Sequence, residues 1–190
     1  TIERLKEPEK VKCPDLAELL QGNRVDYVSL YDAFSKYCHS FSEPLNLCGL
    51  SLGGVLALHY GIDHPEKVNS LVLIAAQYRM PEKLLKLQNA MFRFMPESMF
   101  QQMGFGKKEF IQLSKSMMKL DFSKELQKLS CPVLIICGEK DKANRRASEE
   151  LAKYLPHAQM QIVEKAGHEV NLDAPERLAE IWNGFYEQEA

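Results

Sequence analysis

The sequence predicts an α/β fold: a doubly wound, mostly parallel sheet with a helical segment inserted between two of its strands. Continuous apolar runs alternate with helical patterns, and strands apolar on both faces belong to parallel sheets covered by helices on both sides. One such run, Leu45-Asn46-Leu47-Cys48, passes directly into Gly49-Leu50-Ser51-Leu52-Gly53-Gly54, a sharp strand-to-helix turn. The alternation is interrupted once, at residues 79–128, which hold Met80, Met91, Met95, Met99, Met103, Met117 and Met118, all but one of the chain's eight methionines.

In chain order, strand-like runs at 10–13, 45–50, 70–76, 132–137 and 159–164 alternate with helical patterns at 26–40, 52–64, 144–154 and 174–187. After the glycine turn, Val55, Leu56, Leu58 and Ile62 recur at helical spacing. Cys131 to Cys137 is the strongest β-branched apolar run, and Met160-Gln161-Ile162-Val163-Glu164 alternates as a half-buried strand does. The interrupting segment reads as two or three amphipathic helices, broken at Pro96 and around Gly104-Phe105-Gly106. The expected organisation is a sheet core from 1–78 and 129–190, with 79–128 as the insert.

A 45% hydrophobic share, 26% charged residues and 190 residues suit one domain with a substantial core. A net charge of −2 without any extended basic tract argues against a nucleic-acid partner. No apolar run approaches the roughly 20 residues that cross a bilayer, and no signal-peptide pattern opens the sequence. Five cysteines, an odd number, with Cys48 and Cys137 in strand-like runs, predict buried thiols in a reducing, cytoplasmic setting. Their spacing matches no zinc site, and no metal or cofactor is expected.

Gly-x-Ser-x-Gly is the pattern of a nucleophile elbow: the serine occupies a strained turn, and the residues two away on each side are expected to need bare α-carbons. Ser51 is therefore the candidate nucleophile, with the Leu52 amide aimed at a developing oxyanion from the first helical turn. Such a serine needs a histidine base and a carboxylate to orient it. Of the five histidines, His168 alone lies just beyond a strand, on the loop Ala166-Gly167-His168. His59 falls inside a helix, and His39, His64 and His157 near helix ends, where packing, capping or solvation is the simpler reading. Gly138-Glu139-Lys140-Asp141 follows the strongest strand; Asp141 has more freedom than Glu139 to curl back over the strand ends. Ser51, Asp141 and His168 occur in the chain order Ser, Asp, His.

On these residues the chain resembles the α/β-hydrolase superfamily. The matching pieces are Cys48-Gly49-Leu50-Ser51-Leu52-Gly53-Gly54, His64-Pro65-Glu66-Lys67-Val68 with Leu71-Val72-Leu73-Ile74, Pro132 to Asp141, and Ala166-Gly167-His168 with Ala174-Pro175-Glu176. Within the superfamily the elbow is similar to that of 3-oxoadipate enol-lactonases and small esterases. The resemblance implies the α/β-hydrolase fold with 79–128 as a helical cap, and hydrolysis of a carboxylic ester, lactone or thioester of a small apolar acyl substrate. It also implies alternatives on the same scaffold: carbon-carbon bond hydrolysis, acyl transfer, or ligand binding without turnover. Met91, Phe94, Met95, Met99 and Met103 are the expected substrate contacts, a soft apolar lining.

One departure stands out. Superfamily members carry, well before the elbow, a strand ending in His-Gly whose loop gives the second oxyanion amide, and no His-Gly dipeptide exists here. Lys10-Val11-Lys12-Cys13-Pro14-Asp15-Leu16 resembles the strand and loop that follow that segment. A gap between this strand and the elbow strand would leave buried backbone groups unsatisfied at about 1–3 kcal/mol each. The expectation is that a preceding segment, or another chain, completes the sheet.

Overall fold

The computed structural model describes residues 1–20, 22–101, 105–155 and 157–189. Four strands, β1 (Leu45–Leu50), β2 (Val68–Ile74), β3 (Val133–Gly138) and β4 (Gln159–Val163), form one sheet in that order, each neighbouring pair parallel. Ile74 lies opposite both Leu50 and Ile136, so β1 and β2 end level and β3 runs on through Cys137 to Gly138. Burial follows position: β2 and β3, flanked on both sides, are almost wholly buried, while β1 and β4 at the ends of the sheet are part-exposed. That is why the central strands read as continuous apolar runs and the last one as an alternation.

The helices are α1 (Leu16–Leu20), α2 (Tyr27–His39), α3 (Leu52–Asp63), α4 (Glu82–Phe92), α5 (Ser98–Gln101), α6 (Lys107–Met117), α7 (Lys142–Tyr154), α8 (Val170–Asp173) and α9 (Pro175–Glu189). On one face of the sheet, Val72, Ile74, Leu134 and Ile136 pack with Val170, Leu178 and Phe185 from α8 and α9. Helix α3 packs along β1 and β2, and α7 along β3 and β4. Each fully buried Leu, Ile or Phe of this core contributes about 1.5–3 kcal/mol.

The strand expected at 10–13 is absent. Pro8–Lys10 forms a 3-10 turn, and the segment after it joins no ladder. A strand is stable only against a neighbour whose hydrogen bonds it completes. The first six residues lie along the C-terminal helices instead: the Lys6 amide donates to Asn183 Oδ1 (3.1 Å), Thr1 Oγ1 to the Asn171 carbonyl (3.3 Å), and Arg4 pairs with Glu176 (2.7 Å). Among the described residues, β1 has a strand partner on one side only, β2.

The chain divides into two compact units. The first, Thr1–Lys12, Glu43–Tyr78 and Phe122–Ala190, holds the sheet. The second joins Cys13–Ser42 with Arg79–Asp121, so α1 and α2, read from the sequence with the core, share a unit with α4, α5 and α6. Contacts remote in sequence account for this grouping: α2 packs on α6, and the Tyr27 amide donates to Ser116 Oγ at 2.8 Å. Inside this unit Phe92, Phe100 and Phe110 form a ring cluster with centroids 5.4–5.7 Å apart. Asp26 caps α2, accepting from the Ser29 amide at 2.9 Å.

Candidate active site

The elbow is built by steric exclusion. Ser51 follows β1 with φ 52° and ψ −114°, a conformation that costs a non-glycine residue about 1–3 kcal/mol. Its amide is held by the Ile74 carbonyl of β2 at 2.8 Å. A Cβ on Gly49 would lie 2.1 Å from the Gly53 carbonyl carbon, and one on Gly54 would lie 2.7 Å from Ala76 Cβ. A Cβ on Gly53 would meet nothing within 4 Å. The expectation that both residues two away from the serine need bare α-carbons is thus corrected: the requirement falls on Gly49 and Gly54. Gly53 contributes its backbone as the wall that Gly49 must clear. Leu52 opens α3, and first-turn amides have no intrahelical acceptor, so its N–H belongs to the set that can receive an anion.

Asp141 and His168 come together from the ends of β3 and β4. Asp141 caps α7, its side chain 5% exposed, and accepts from the Asn144 amide at 3.2 Å. His168 Nδ1 lies 2.8 Å from Asp141 Oδ2. The loop carrying the histidine is fixed against the end of β3. The Glu139 amide donates to the Val163 carbonyl and the Lys140 amide to the Ala166 carbonyl, both at 2.9 Å, and the Gly167 amide to Asp173 Oδ2 at 2.6 Å. The approach is close enough that a Cβ on Gly138 would sit 2.0 Å from the Gly167 oxygen. Sequence reasoning passed over Gly138; its signal was a glycine ending a β-branched run immediately before the candidate acid. Glu139, the competing carboxylate, accepts from the Lys165 amide at 2.8 Å, at a residue with φ 61°.

Because all four strands are parallel, Ser51, Asp141 and His168 leave the same edge of the sheet, with β2 between the strand of the serine and that of the aspartate. Among the described residues no hydrogen bond joins Ser51 to His168, and 43% of the histidine side chain is exposed. Three of the other histidines have contacts of their own. His59 packs against Phe122 with ring centroids 4.7 Å apart, and burial lowers its pKa. The His64 ring packs tilted against Tyr60 with centroids 4.8 Å apart, His39 Nδ1 lies 2.8 Å from the Ser35 carbonyl, and His157 is exposed.

Of the expected substrate contacts, Met91, Phe94 and Met99 are exposed, Phe94 to 90%, and Met95 is half-buried. Met103 lies outside the described residues. The cysteines are thiols, with Cys137 buried and Cys48 half-buried; burial pushes the Cys137 thiol up. Among the described residues there is no cluster of three or more His, Cys, Asp or Glu able to hold a metal ion, and no helix long and apolar enough to cross a membrane.

The sequence profile of the alpha/beta hydrolase family matches residues 11–181. A putative 2-succinyl-6-hydroxy-2,4-cyclohexadiene-1-carboxylate synthase of Bacillus subtilis is 24% identical over 180 residues, covering 75% of this chain and 66% of that protein. The monoacylglycerol lipase ABHD6 of Mus musculus is 23% identical over 158 residues, covering 73% of this chain and 47% of the lipase. The chain therefore spans between about half and two thirds of the length of these curated relatives. Among solved structures, a thermophilic esterase from Thermogutta terrifontis superposes with a TM-score of 0.69 at 20% identity, over 85% of this chain and 72% of the esterase. A profile match running from the segment before α1 into α9, on a parallel sheet whose first strand ends in a serine elbow, shows that this chain belongs to the alpha/beta hydrolase family.

Proposed function

We propose that the protein is a serine hydrolase that cleaves a carboxylic ester, lactone or thioester of a small apolar substrate through an acyl-enzyme. The observation that carries this reading is the 2.8 Å contact between His168 Nδ1 and Asp141 Oδ2, at the sheet edge where Ser51 stands on its strained turn. With Nδ1–H donated to Asp141, His168 Nε2 is the base. It takes the Ser51 proton as Oγ bonds to the carbonyl carbon, and the oxyanion accepts from the Leu52 amide. Collapse expels the leaving group with the proton from His168. Water, deprotonated by the same nitrogen, then releases the acid and returns the proton to Ser51. The names of the mouse lipase and the Thermogutta esterase support ester chemistry.

The exposed Met91, Phe94 and Met99, with Met95 and Met103, are proposed to supply apolar contacts to the acyl or ring group. The name of the Bacillus relative supports the alternative that the same residues serve another reaction of the scaffold. The test is intact mass after exposure to a fluorophosphonate. One adduct on the wild-type protein, absent from Ser51→Ala, supports the acyl-enzyme reading. A folded wild-type protein that takes no adduct would turn the assignment to ligand binding.

A further inference from the structure

Asn144 stands three residues after Asp141 in the first turn of α7, so its backbone amide donates to the capping aspartate as the amide of any residue there would. Its side chain goes beyond capping. Nδ2 lies 2.8 Å from Asp141 Oδ2, 3.0 Å from Oδ1 and 3.1 Å from His168 Nδ1. The amide oxygen is already taken: Gln77 Nε2 donates to Asn144 Oδ1 at 2.7 Å, and approaches the Ala143 carbonyl at 3.4 Å. Gln77 is itself fixed by the chain leaving β2, where the Ala75 amide donates to the Ile136 carbonyl of β3 at 2.8 Å.

A primary amide offers one acceptor and one donor group. With its acceptor satisfied by Gln77, Asn144 presents only hydrogens to Asp141. A carboxylate facing donors alone is held as the anion, since a protonated carboxyl would meet another hydrogen. With the Nδ2 hydrogens on the carboxylate, the 3.1 Å approach of Nδ2 to His168 Nδ1 carries no hydrogen bond, and Nδ1, 2.8 Å from Oδ2, donates its own proton to Asp141, which leaves the Nε2 lone pair outward. That is the tautomer a general base needs. We propose that Asn144, locked by Gln77, is a positioning residue that keeps the Asp141–His168 pair in its base-competent state, an inference that rests on the hydrolase reading above. Other charged groups on the surrounding elements include Glu139 and Lys140 after β3, Lys142, Arg145, Arg146 and Glu149 on α7, and Glu164, Lys165, Glu169 and Asp173 on either side of His168; the substitutions below leave them in place.

Asn144→Asp keeps the side chain's shape and puts an acceptor where hydrogens stood; Gln77→Leu frees the amide to turn and leaves the α7 cap intact. The measurements are the pH profile of fluorophosphonate labelling and the NMR titration of the His168 ring. Asn144→Asp is expected to slow labelling by about 10–100-fold, the scale on which outer partners of reactive groups are felt. Its His168 titration should move to higher pH, because a second negative charge favours imidazolium. Gln77→Leu should slow labelling by a smaller factor. If the wild type labels and both variants label within twofold of it with an unmoved titration, the positioning role is overturned and the hydrolase reading stands. If the wild type does not label while the titration still moves in Asn144→Asp, the hydrolase reading falls and the role of Asn144 in the pair stands. Should Asn144→Asp fail to fold, Gln77→Leu decides by the same two readouts.

Discussion

The elbow at residues 49–54 and the inserted stretch Arg79–Asp121 are the most distinctive parts of the sequence, and they are built on opposite principles. At the elbow, backbone runs so close to backbone that bare α-carbons are obligatory at Gly49 and Gly54. In the insert, amphipathic helices hold together through a few aromatic rings. Helix α4 buries Asn89 and Phe92 and turns Leu84, Leu87 and Met91 outward. The contrast teaches where sequence is decisive: steric exclusion between near neighbours admits one answer, whereas an apolar side chain on a helix is compatible with core, surface or ligand.

The sharpest way to break the contrast is Gly49→Ala. With a Cβ 2.1 Å from the Gly53 carbonyl carbon, the turn has to rearrange. The expected outcome is a loss of more than about 4 kcal/mol in chemical denaturation, together with loss of fluorophosphonate labelling. Gly53→Ala, which meets nothing within 4 Å, should fold as the wild type does, so equal damage from both substitutions would refute the steric account. Next in size is Phe100→Ala. This ring is 1% exposed and edge-on to Phe92, and its removal should cost about 3 kcal/mol, seen as early loss of amide protection in α4 and α6.

Asp26→Ala should cost about 1 kcal/mol through loss of the α2 cap. The Ser29 amide, ahead of the Arg24 charge, holds the Asp26 carboxyl below the usual carboxylate range. Its contribution is therefore complete above the ordinary carboxylate pKa and disappears as pH falls through the lower folded value. Wild type and Asp26→Ala should converge in stability below that point. The smallest expected effect is that of Phe94→Ser, where 90% exposure predicts a stability change within about 0.5 kcal/mol. A changed acyl-chain preference at unchanged stability would give the exposed ring a ligand; an unchanged preference would leave it as surface alone.

Much of the candidate site's placement was legible because its rules are local. The strand, elbow and helix around Ser51 lie within a window of about twenty residues, and Asp141 and His168 each follow a strand directly. The strand expected at 10–13 failed for the complementary reason. Lys10-Val11-Lys12-Cys13 has strand composition, but pairing is decided by a neighbour that a window does not contain. Gly138 and Asn144 were passed over because what they touch, Gly167, His168 and Gln77, is remote in sequence.

By itself the sequence determined the parallel strands, the strained serine, and the chain order of serine, aspartate and histidine. These follow from side-chain periodicity and from clashes between residues a few positions apart. Tertiary structure alone decided that residues 1–6 run along α8 and α9, that Cys13–Ser42 shares a unit with the insert, and that a Gln77–Asn144 amide pair reaches the Asp141 carboxylate. Each of those joins residues tens of positions apart in the chain, which local periodicity and near-neighbour clashes do not bring together.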